Sequence, residues 1–223
     1  MRRMLAAAMT LALAACSVTE QAKTDTVQQT GFLKNYSQLQ PGAKDQALLV
    51  YFNPNARWNR YTKVMIEPVT FWGDASSNVS VQEQQQLCSY YYNKLNEDVS
   101  QKFQIVDRAG PGVMTLRVAL TDPTAATPVL RSVSVVIPQA RLLNSVANLA
   151  TGSYAFVGSA QSEGEVVDSQ TGERLAAAVD KRSGGLSIKN ANVWQWGDAE
   201  NAMDYWAQRT ADRLSVFQSG GQI

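Results

Sequence analysis

One amphipathic helix set between strands constrains this chain more than any other feature. Residues 80–101, SVQEQQQLCSYYYNKLNEDVSQ, place Cys88, Tyr91, Leu95 and Val99 three and four residues apart. That spacing makes one apolar stripe, with Leu87 and Tyr92 beside it. Ser80 and Glu83 have the spacing of a capping box, which fixes where the helix starts. Before it, YTKVMIEPVTFW (61–72) reads as a strand with Val64 and Ile66 on one face, and Pro68 marks an end, bulge or edge. After it come FQIVDR (103–108), the turn Gly110-Pro111-Gly112, and VMTLRVALTD (113–122). In this last strand Met114, Leu116, Val118 and Leu120 share a face.

Two more elements complete the pattern. Residues 153–185 read as a β-hairpin turning at Asp168 to Gly172, where Gly172 supplies the positive φ of a bulged turn. Residues 198–217 read as a second helix, capped by Asp198, that buries Met203, Trp206, Thr210, Leu214 and Phe217. ALLVYFN (47–53) is a short strand, and GFLKNYSQLQPG (31–42) a short helix or irregular arm packed on the domain. Residues 129–150 are an apolar insertion, with Val133, Val135 and Ile137 strand-like and Leu142, Leu143, Val146 and Leu149 helix-like. The expected class is α+β: a mixed or antiparallel sheet with two main helices on one face, ordered β-α-β-β, insertion, β-β-α.

The start of the chain speaks to location. Arg2 and Arg3 precede a short apolar run that is too short to span a bilayer. The run ends in Leu13-Ala14-Ala15-Cys16. This resembles the lipobox of bacterial lipoprotein signals. The resemblance implies a signal peptide over 1–15 and lipid on the Cys16 sulfur and amino group. A single acyl chain binds membranes marginally, and two or more anchor stably. Ser17, in place of the aspartate that retains lipoproteins at the inner membrane, implies the outer membrane with the domain facing the periplasm. Residues 17–30 are polar and aperiodic and read as a flexible tether. Residues 31–223 then form a single domain.

Composition narrows the chemistry. The whole chain carries 20 basic and 19 acidic residues. Loss of Arg2 and Arg3 with the signal leaves it near neutral, with no field for nucleic acid. It contains no histidine, which excludes Ser-His-Asp and Cys-His catalysis and imidazole-dependent zinc sites. Only Cys16 and Cys88 occur, so a lipidated Cys16 leaves Cys88 as a buried small hydrophobe. Asp168, Glu173, Asp180, Glu163 and Glu165 gather around the hairpin. Paired carboxylates serve glycan hydrolysis, but these are expected to be a turn cap and solvent-facing strand charges. Neither Gly110-Pro111-Gly112 nor Gly184-Gly185 forms a phosphate loop, and DSQTGE lacks the spacing of a calcium loop.

GFLKNYSQLQPG, YTKVMIEPVTFW, LRVALTD and GSYAFVGSAQSEGEVVDSQTGERLAAAVD together resemble a family of bacterial lipoproteins of unknown function, domain-of-unknown-function 3313. That resemblance implies fold and location and brings no activity with it. The function expected is a non-enzymatic, membrane-anchored protein-binding or assembly module of the cell envelope, with no cofactor beyond the lipid on Cys16. Its partners would be the bilayer, through Cys16, and an envelope protein or a second copy. The contact surface would use Trp194, Trp196, Val135, Ile137, Leu142 and Leu143. A carrier of a lipid or other apolar ligand, held between sheet and insertion, is the alternative; a carboxylate hydrolase stands behind both.

Overall fold

The computed structural model describes residues 19–74, 79–121, 131–135, 159–184 and 197–221. Cys16, Ile137, Leu142, Leu143, Trp194 and Trp196 lie outside them. Ten strands form one mixed sheet among the described residues. Its centre is the hairpin of β9 (Ser159–Asp168) and β10 (Arg174–Gly184). On one side β9 pairs antiparallel with β7 (Val113–Thr121), and β7 pairs parallel with β4 (Lys63–Ile66) and β5 (Thr70–Asp74). β4 also pairs with the short β6 (Gln104–Ile105), and β5 with β8 (Arg131–Val135). On the other side β10 pairs with β3 (Leu49–Phe52), followed by β2 (Gln40–Pro41), and with β1 (Thr19–Gln21).

The expected order of strands and helices is observed. The 61–72 segment divides at Pro68 into β4 and β5, because proline has no N–H for the ladder. The apolar segment read as an insertion begins inside the sheet, since β8 continues it antiparallel to β5. Gly172 has φ 71° at the hairpin turn, where a side chain would be strained.

Helix α1 (Val81–Ser100) starts at the capping box, with Ser80 and Glu83 each bonded to the other's backbone N–H. Leu87, Cys88, Tyr91, Leu95 and Val99 are buried beneath it, each contributing about 1.5–3 kcal/mol on transfer from water as an upper figure. Helix α2 (Gly197–Gln218) lies beside α1 and buries Met203, Trp206 and Leu214, while Thr210 and Phe217 are half-buried. Trp58 stacks on Phe217 with ring centroids 4.7 Å apart. Both helices cover the sheet face built from Met114, Leu116, Val118 and Val166.

The opposite face is not bare. Residues 22–39 cross it as an irregular arm, and Leu33 and Leu39 pack on Ala177 and Val179 with Phe32 and Tyr36 alongside. β7 is therefore buried on both faces along almost all its length. Such a strand shows a near-continuous apolar run. The tether expected over 17–30 is corrected by this packing for the described residues. β1 adds to β10, with Thr19 opposite Gly184 and Gln21 opposite Arg182. The polar side chains there are partners of the sheet, so polarity did not signal free chain.

Cys88 is fully buried, and burial pushes its thiol up to about 12. It is expected to react with a thiol reagent at pH 8 only at the rate of global unfolding. Labelling within seconds in the native protein would contradict that.

Candidate functional site

Three structures hold the described domain together: two faces of the hairpin and its tip. All three are built on carboxylates: Glu163 and Asp180, read from sequence as solvent-facing strand charges, and Asp168, read as a turn cap. Glu163 is 0 %, Asp168 3 % and Asp180 5 % exposed. The expectation of solvent-facing strand charges is therefore corrected for Glu163 and Asp180. Alternation along β9 and β10 sends Gln161 and Glu163 to the arm face and Ser162 and Asp180 to the helix face. Both faces are covered, so each carboxylate must find donors inside.

On the arm face, Glu163 accepts from the Tyr36 hydroxyl at 2.5 Å and from the Thr30 N–H at 3.2 Å. Gln161 next to it exchanges two bonds with the Gln28 backbone, at 3.0 and 2.7 Å. Burial and the neighbouring Glu163 carboxylate push the Tyr36 phenol up to about 12. The exposed side of this face carries a run of ion pairs: Arg117 holds Glu67 at 2.9 Å and Glu165 at 3.5 Å, and Arg174 holds Glu165 at 2.8 Å.

On the helix face, Asp180 gathers four donors. Oδ1 accepts from the Gln21 amide at 2.7 Å and the Leu48 N–H at 3.2 Å. Oδ2 accepts from the Trp206 indole N–H at 2.8 Å and Arg182 Nε at 3.2 Å. The Arg182 guanidinium lies 3.4 Å from the centre of the Tyr205 ring and donates to Thr19 Oγ1 at 3.0 Å. One buried ion pair thus joins β1, the segment entering β3, β10 and α2.

At the hairpin tip, Asp168 Oδ1 caps the turn by accepting from the N–H groups of Gln170 and Thr171, both at 2.9 Å. This is the turn cap the sequence indicates. Oδ2 takes Arg60 at 2.6 Å and the Tyr61 hydroxyl at 2.8 Å. Burial alone would raise this carboxyl, but the Thr171 and Gln170 N–H groups and the Tyr61 hydroxyl outweigh it and hold it at about 2, below the ordinary 3.8. Glu173 is exposed and accepts from the Asn53 side chain at 2.8 Å. Glu163 and Asp180 thus lie on opposite faces of the sheet and Asp168 at the hairpin tip.

Between α2 and the helix face of the sheet lies a cavity of about 160 Å³. Its walls are Phe52, Val118, Val166, Trp206, Leu214 and Phe217, and its floor is the small-residue patch around Gly164 and Ala178. The charged residues of its lining are Asp45, Glu165, Asp180, Arg209 and Arg213. This cavity sits under α2; the pocket expected between sheet and insertion involves residues 136–150, which lie outside the described residues. Among the predicted surface residues, the structure places only Val135, at the end of β8 and opposite Thr70. Sequence reasoning missed Arg182, Arg209 and Arg213. Their one legible signal is position: Arg209 and Arg213 are one helical turn apart on the helix that carries Trp206. Among the described residues there is no cluster of metal-ligating side chains and no helix long and apolar enough to cross a membrane.

Replacing Asp180 by alanine would strand the Trp206 indole, the Gln21 amide and the Arg182 charge. Asp180→Ala is expected to cost about 3–5 kcal/mol in urea unfolding, and Asp180→Asn less, because an acceptor remains. A loss under about 1 kcal/mol would show that the four segments do not depend on it. Asp168 acts through pH. Its carboxyl is depressed in the folded state, so its stabilisation is complete above about pH 4 and is lost as pH falls toward about 2. The gap in melting temperature between wild type and Asp168→Ala should close across that window; a constant gap would contradict the assignment.

Comparison with known proteins places the chain. Residues 28–210 match the family described as protein of unknown function (DUF3313). The chain is 26% identical over 159 residues to the uncharacterized lipoprotein YdcL of Escherichia coli, in both the K12 and O157:H7 strains. The match covers 70% of this chain and 71% of that protein. The PelC dodecamer of Paraburkholderia phytofirmans aligns with a TM-score of 0.37 and 12% identity, over 76% of this chain and 94% of that one. The lipoprotein character read at Cys16 agrees with the name of the Escherichia coli relative, and the family match spans the arm, the sheet and both helices: the chain belongs to the DUF3313 family.

Proposed function

We propose that this protein is a lipid-anchored, non-catalytic module of the Gram-negative envelope. Lipid on Cys16 holds it at the periplasmic leaflet of the outer membrane, and its α+β domain binds an envelope protein or a second copy. The observation that carries this reading is the docking of β1 on β10, which starts at Thr19. Only Ser17 and Val18 separate it from Cys16. Even fully extended, that link reaches about 10 Å. A domain anchored this way is held against the bilayer by one end of its sheet and has little freedom to range on a tether.

That end is distinct. β7 finishes there at Thr121, β9 begins at Ser159, and β10 ends at Gly184 beside Thr19. Helix α2 runs away from it, with Tyr205 over Arg182 and Phe217 packed on Phe52 toward the hairpin tip. Trp194 and Trp196 fall in the connection between Gly184 and Gly197. The opposite end is closed by tight polar turns around Asp168. The membrane-proximal end is therefore the surface through which partners are met.

Cys16→Ser should move the protein from washed membranes to the soluble periplasmic fraction with its circular dichroism unchanged. Equal amounts of mutant and wild type in washed membranes would overturn the anchor.

A further inference from the structure

We propose that the cavity between α2 and the sheet binds a single-chain anionic amphiphile, of which a fatty acid is the simplest. Its chain would lie between Trp206, Phe217 and the Gly164–Ala178 floor, and its carboxylate would sit on Arg209 and Arg213. This rests on the cavity and its charges and not on the lipid anchor.

The volume, about 160 Å³, matches a known apolar cavity of about 150 Å³ that takes up benzene. It suits a short acyl segment of about six carbons and is too small for two parallel chains. The floor is low because Gly164 stands opposite Ala178 across the β9–β10 ladder. A Cβ added at Gly164 would meet nothing nearer than 3.6 Å, so the glycine is not demanded by packing.

Charge decides the occupant. Arg60, Arg117, Arg174 and Arg182 each hold a carboxylate. Arg209 and Arg213 line the cavity and form no ion pair among the described residues. Both donate instead to the backbone carbonyl of Asp45, Arg213 at 2.9 Å. Asp45 has φ 67°, a left-handed conformation rare outside glycine. Its turn is closed by the Gln46 N–H on the Ala43 carbonyl at 3.0 Å. The Asp45 carboxylate also acts on Arg213, so two guanidinium groups share one nearby carboxylate, while Glu165 and Asp180, which also line the cavity, are held by Arg174 and Arg182. Oriented guanidinium groups beside an apolar cavity fit a carboxylate head on an apolar chain. Acyl chains attached to the protein's own cysteine end in uncharged ester and amide links, which those arginines would not select.

The test uses the full lipidated protein in phosphatidylcholine nanodiscs and an octanoate analogue with a diazirine in its chain. After irradiation, labelled peptides are mapped by mass spectrometry. Label should concentrate on α2 and the β9–β10 hairpin, and free octanoate should displace it while methyl octanoate does not. The double variant Arg209→Gln/Arg213→Gln should lower labelling about tenfold or more, with circular dichroism retained. Ala178→Leu, which fills the floor, should abolish labelling with both arginines in place; if it fails to fold, the arginine variant and the ester competition still decide. Label scattered over the surface, equal displacement by the methyl ester, or unchanged labelling of the double variant would each overturn the proposal. Labelling confined to Cys16→Ser protein would assign the cavity to the chain's own lipid and overturn it as well.

Discussion

The described domain depends on one buried ion pair. Asp180 and Arg182 lie two residues apart on the same face of β10, and between them they bind β1, the entry to β3, and α2. Buried charge is costly unless its bonding capacity is filled. Here each oxygen of Asp180 takes two donors, and the guanidinium is covered by an aromatic ring. Elements distant in sequence are thereby required to assemble together. The N-terminal strand β1 is among them, so the chain from Thr19 onward is part of the folded unit.

The second organising fact is a sheet covered differently on its two faces. The helix face is an apolar contact of α1 and α2 on alternating residues of β7 and β9, bordered by the Asp180–Arg182 pair under α2. The arm face carries Gln161 and Glu163, and it is closed by chain whose backbone N–H groups and one tyrosine supply the donors. Polar residues on both sides of that contact satisfy one another. This makes the arm specific to its register, because shifting it would leave Glu163 without Tyr36.

Much of this was legible in the chain. The helical stripe through Tyr91 and Leu95, the capping box, the break at Pro68 and the turn at Gly172 all follow from local rules, and each is observed where the rule puts it. Glu163 and Asp180 were misread because periodicity reports which face a residue takes and says nothing about what covers that face. Residues 19–30 were misread for the same reason: their hydrogen bonds run to side chains more than 100 positions away. The cavity was invisible because it requires knowing that Gly164 and Ala178 face α2 at the level of Arg209.

By itself, the sequence determined the class of fold, the order of its elements and the lipobox at Cys16, since each rests on spacing within a short stretch of chain. It also excluded histidine-based chemistry by composition. Only the tertiary structure decided which charges are buried, where the N-terminal segment goes and which face carries a cavity. Those outcomes depend on pairings between residues far apart, and the free energy of a buried charge is set by the donors the fold brings to it.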